Sequence, residues 1–187
     1  MVSKDITKGL TLTAFGFLFV LINININEIS ISPAFIGWLL FFLAFPCFGK
    51  YGEGKEYLRW AALILTIITA VEWTLEVTNA VANTDVLKTI VGCANAVFMF
   101  LYFDILIRVA KDYGREETAN RLSTLKYVNI GGYIGTIVFA VLYSLTRNTL
   151  MAVLTVLCGV VVLVTAIITC VRLFKLKKEI ANGTSVA

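Results

Sequence analysis

The residue types best able to do chemistry in this 187-residue chain lie along one short stretch. Thr69, Glu72, Glu76, Asn79 and Asn83 recur at spacings of three and four, which stacks them on one face of a helix. Two carboxylates one turn apart in an otherwise apolar segment suit a proton, a metal cation or an organic cation. Trp73, beside Glu72, and Trp38 can add aromatic faces for an ammonium group. Asn95, counted inward along the next apolar segment at ~1.5 Å per residue, comes to about the depth of Glu72 and is expected as its hydrogen-bond partner. The ligand-binding set read from the sequence is therefore Glu72, Glu76, Trp73, Asn79, Asn95 and Trp38. The bland alternative is a carboxyl group hydrogen-bonded to an amide, with Glu76 simply reaching the interface.

Most other chemistries are excluded by residue type. The chain has no histidine, which removes histidine-ligated haem and zinc and all Ser-His or Cys-His nucleophile pairs. There is no G-x-x-x-x-G-K phosphate loop. Cys47, Cys93, Cys158 and Cys170 all fall inside apolar segments, with no C-x-x-C pair, so no disulfide framework is expected. The reading is of a non-enzyme with no cofactor and no metal among its fixed parts.

These residues must be positioned by helices in lipid. Hydrophobic residues make up 59% of the chain and the mean hydropathy is +0.87, against about 45 to 50% apolar residues in soluble domains. Six segments are long and apolar enough to cross ~30 Å of hydrocarbon, at residues 8–26, 33–49, 57–80, 86–109, 126–146 and 149–174. The fold expected is all-α: one transmembrane domain over residues 1–187, a six-helix bundle. With the N-terminus inside, every Lys and Arg except Lys88 and Arg147 falls on the cytoplasmic side, so both termini are expected in the cytoplasm. The net charge of +4 is then a topology signal and an attraction to anionic lipid rather than a nucleic-acid footprint.

Ile22 to Ser32, in the first outer connection, alternates apolar and polar residues strictly, the period of a strand. It is expected as an extended segment over the outer mouth, isoleucines down and asparagines up, with Ser32 capping a second helix that starts at Pro33. Between Arg108 and Lys126 the sequence predicts a break near Gly114 and a short amphipathic stretch. Asp104 and Arg108, one turn apart, are expected to pair. Gly131 and Gly135 form a small-x-x-x-small face for close helix packing, within the monomer in preference to a homodimer.

The stretch NININEISISPAFIGWLLFFLAF, Asn23 to Phe45, resembles the loop and second helix of small uncharacterised multi-helix membrane proteins of Gram-positive bacteria. That resemblance implies a bacterial plasma membrane and no particular activity. In architecture the chain is also similar to the substrate-binding subunits of energy-coupling-factor transporters, which have six helices and an outer loop over an outward-facing pocket. Two functions follow as expectations. One is binding or transport of a small molecule or cation through an outer-half pocket holding Glu72 and Glu76. The other is an accessory or immunity-type role exerted through a membrane-protein partner.

Overall fold

The computed structural model describes residues 2–21, 25–26, 29–30, 33–78 and 85–183. Six long helices account for nearly all of them: α1 (Val2–Leu21), α2 (Ala34–Ala44), α3 (Glu56–Val77), α4 (Asp85–Asp112), α5 (Glu116–Thr146) and α6 (Thr149–Gly183). A 3₁₀ stretch, Phe45–Gly52, prolongs α2.

Helix boundaries follow local chemistry. α1 stops at Leu21, where the Ile-Asn alternation begins, rather than running on to residue 26 as the hydropathy suggested. β-Branched residues and asparagines are poor helix formers, and here extended backbone takes over. It takes the form of two two-residue strands, β1 (Asn25–Ile26) and β2 (Ile29–Ser30), paired antiparallel with Asn25 opposite Ser30 and Ile26 opposite Ile29. Where a single strand was expected, the described residues of the segment pair with one another. Which way its isoleucines and asparagines face, and the expected cap at Ser32, lie outside the described residues. Pro33 stands at the N-cap with extended backbone, one residue before the helix it was expected to begin. Pro46 then sits in the first turn of the 3₁₀ stretch, where a missing N–H costs little, and Gly49 (φ 49°) turns the chain toward α3.

The break expected near Gly114 is present, with Gly114 at φ 66°. The amphipathic stretch after it is the first three turns of α5, not a separate element. Thr118, Ala119, Leu122, Leu125, Lys126, Asn129 and Gly132 are buried at alternating three- and four-residue spacing, a single continuous stripe that keeps the helix going. At the α5–α6 turn Arg147 is left-handed (φ 53°), and Asn148 Oδ1 accepts the Leu150 N–H at 2.9 Å, capping α6. α6 also runs past residue 174, because Leu173, Leu176 and Ile180 are buried and Glu179 engages Arg115 and Lys175.

Spatial neighbours run in the order α3, α2, α1, α6, α5, α4. α1 is held between α2 and α6, and the row curls so that the aromatic face of α4 fills its middle. Trp38, Phe41, Phe98 and Tyr102 form the centre, with Trp38–Phe98 and Phe41–Tyr102 ring centroids each 5.0 Å apart and edge to face. The Tyr102 hydroxyl lies 2.8 Å from Thr13 Oγ1, which satisfies both buried groups. α1 and α2 cross backbone to backbone: a Cβ on Gly37 would stand 2.8 Å from Gly16 O and 2.8 Å from Val20 N.

Among the described residues, five helical segments are long and apolar enough to cross a membrane: Ala34–Gly52, Glu56–Leu75, Thr89–Asp112, Glu116–Thr146 and Thr149–Asn182. α1 carries Lys4, Asp5 and Lys8 in its first two turns and is the most enclosed of the six, with Leu10, Thr13, Ala14 and Phe17 fully buried. Val141, Leu145, Val153 and Val156 on the outward faces of α5 and α6 are exposed, which suits contact with lipid. The end of the bundle carrying Lys50, Lys55, Arg59 and Lys126 is called the basic end below.

Candidate functional site

α3 and α4 are consecutive in sequence yet barely touch. Between them runs an apolar groove of about 450 Å³. On α3 its wall runs from Tyr57 and Leu58 through Ala61, Ile64 and Leu65 to Ile68, and on α4 from Cys93 to Leu101. Both walls belong to helical segments long and apolar enough to cross a membrane.

Within the α3 wall Leu58, Ala61, Leu65 and Ile68 are spaced three and four apart, and the next step of that row is Glu72. A carboxylate therefore stands one turn beyond the apolar groove, on the same helix face and away from the basic end. Glu72 is half-buried and already engaged in a polar contact. Trp73, the next residue round the helix, is half-buried and lies edge to face with Phe35 of α2, their centroids 5.7 Å apart.

The other residues of the expected site are not gathered there. Asn95 faces α5, where its Nδ2 donates to the Tyr133 hydroxyl at 2.8 Å and its Oδ1 is buried without a partner. Trp38 is 1% exposed, at the centre of the aromatic core. The Glu76 side chain and Asn79 lie outside the described residues. Among the described residues no three His, Cys, Asp or Glu side chains converge as a metal site. No protein-family model, curated protein or solved structure matches the chain. The case for any function therefore rests on the geometry of this bundle.

At the basic end Asp104 is the centre of a three-residue network. Its Oδ2 accepts from Lys55 Nζ at 3.2 Å and its Oδ1 from Lys126 Nζ at 2.6 Å. Lys55 Nζ also donates to the Leu101 carbonyl, and Lys126 Nζ stands 3.8 Å from the Phe100 ring centroid. The expected partner, Arg108, is instead exposed. Its long side chain can reach water, whereas Lys126 is 7% exposed and must be neutralised where it lies. The network ties the start of α3 and the third turn of α5 to α4.

The glycine face of α5 packs inside the monomer, against α6, but through a different pair. A Cβ on Gly135 would stand 2.7 Å from Cys158 Sγ, and one on Gly132 2.7 Å from Val162 Cγ2. Gly131 meets nothing within 4 Å. Gly135→Leu is expected to destabilise the bundle by about 1 to 3 kcal/mol, while Gly131→Leu leaves it near wild type or slightly above. Parallel thermal unfolding curves in detergent check this, and equal losses from both would contradict the assignment.

Proposed function

We propose that this protein binds a small amphipathic molecule taken sideways from the bilayer, its apolar body in the α3–α4 groove and a cationic group at Glu72. The single observation that carries the reading is the continuity of one α3 face, from the apolar wall at Leu58 to Ile68 into the carboxylate at Glu72. A groove of about 450 Å³ falls within the size of small-molecule sites, about 300 to 1,000 Å³. A carboxylate at membrane depth favours a cation and repels an anion. The protein is read as a non-enzymatic plasma-membrane component with six spans. The basic end and both termini are cytoplasmic, which puts Glu72 in the outer half. Transport across the membrane would add a release step to the same binding event.

The test is binding of tetraphenylphosphonium, a lipophilic cation, to the purified chain in lipid nanodiscs. Wild type is expected to bind saturably, and Val97→Trp, which fills the groove, to weaken binding by about tenfold or more. Glu72→Gln should weaken the cation but not a neutral tetraphenyl analogue. Unchanged cation binding in both variants would sink the reading and leave the accessory role, exerted through a membrane-protein partner, as the better one.

A further inference from the structure

A second cavity lies at the basic end, on the other side of α3 from the groove. It holds about 270 Å³ and is walled by Phe45, Pro46, Gly49 and Gly52 of the 3₁₀ stretch, with Glu53, Glu56, Arg59 and Trp60 completing it. Arg59 is its distinctive member. The guanidinium Cζ stands 4.7 Å from the Phe42 ring centroid, the side chain is half-buried, and its Nε is buried with no hydrogen-bond partner. Among the described residues no carboxylate comes within salt-bridge distance of it, although Glu53 and Glu56 line the same cavity. The nearest other cation in sequence, Lys55, is drawn away to Asp104. A buried guanidinium N–H with no acceptor is costly unless a ligand supplies one.

The other walls say what kind of anion. Trp60 is 59% exposed beside the cavity, as expected of an aromatic residue at headgroup level. Glu53 and Glu56 are exposed, and Glu56 Oε1 is steadied by the Gly54 N–H at 3.3 Å. A ligand that brought only negative charge would gain Arg59 and meet two carboxylates. One that carries a phosphate and an ammonium a few bonds apart satisfies both. Arg is also the side chain best suited to hold phosphate, through its planar fork of donors.

We propose that this cavity binds the headgroup of a zwitterionic phospholipid of the phosphoethanolamine class, its phosphate on Arg59 and its ammonium between Glu53 and Glu56. The inference needs only that the bundle sits in lipid. It stands or falls separately from the α3–α4 groove, since none of the groove walls takes part.

Native mass spectrometry of the full-length chain, released from detergent after incubation with equimolar dioleoyl phosphatidylethanolamine and dioleoyl phosphatidylglycerol, tests it. Wild type is expected to retain the ethanolamine lipid with a preference of about fivefold or more. Arg59→Gln should reduce that adduct to the level of nonspecific lipid, and Arg59→Lys should retain part of it. The double variant Glu53→Gln/Glu56→Gln changes only exposed side chains and should still bind lipid, with its preference lost or reversed toward the glycerol headgroup. Equal retention of the two lipids by wild type would overturn the proposal. So would an unchanged preference in the double variant, which does not depend on whether Arg59→Gln folds.

Discussion

Replacing Gly37 by leucine is expected to cost the folded bundle about 2 to 4 kcal/mol, among the largest losses any single apolar substitution here would produce. The first side-chain carbon alone would stand 2.6 Å from Val20 Cγ2 and 2.8 Å from two backbone atoms of α1, Gly16 O and Val20 N. A flexible side chain could swing aside; backbone cannot, so α1 and α2 must separate. That separation also loosens the ring contact between Phe17 and Phe41, now 5.3 Å between centroids, which spreads the damage into the aromatic core. Gly159→Leu is the control, because a Cβ there meets nothing within 4 Å. Equilibrium unfolding in mixed micelles compares the two. A Gly37→Leu protein as stable as the control would mean that the helices do not cross at this point.

The second large effect is expected at Asp104. Asp104→Asn removes the one carboxylate shared by Lys55 and Lys126 and leaves the charge of Lys126, a residue 7% exposed, uncompensated. Breaking a buried pair on one side costs several kcal/mol; the Asp104 side chain is 34% exposed, which lowers the expectation to roughly 2 to 4 kcal/mol. The sign of a second change is diagnostic. Lys126→Met in the Asp104→Asn background removes the stranded charge and should recover about half the loss or more, a coupling that independent sites would not show. Unfolding of wild type, both single variants and the double variant closes the cycle, and additive losses would rule out the network.

How much of this was legible in the sequence depends on which coordinate is asked for. Position along a helix axis is set by counting residues, and it was readable. The glycine break at Gly114, the turn at Arg147 and Asn148, and the helical segments of α3 and α4 could be placed within a few residues. Rotation about the axis is set by the neighbouring helices, and there counting gives no purchase. Asn95 was placed level with Glu72 by depth, yet its amide turns to Tyr133 of α5. Gly131 and Gly135 share a periodic face, but α6 approaches between them and the partner of Gly135 in the contact is Gly132. Asp104 and Arg108 satisfy the spacing of an ion pair. Two lysines from other elements win because burial leaves them no alternative, whereas Arg108 has water. The polar row of α3 was read outward from Thr69 through Glu72, while the apolar wall that precedes it, Leu58 to Ile68, was not. The groove it borders was not, because a gap between two helices has no signature in either one.

The contact between α1 and α6 also orders events during synthesis. Cys170 Sγ donates to the Ala14 carbonyl at 3.3 Å, and Phe15 meets Phe174 edge to face at 6.0 Å, joining the first helix made to the last. Every other large helix contact can form as soon as its two neighbours have left the ribosome, but this one waits for almost the whole chain. Until then the side of α1 that α6 covers lacks its partner. The seam between the first and last helices therefore closes only when α6 is complete.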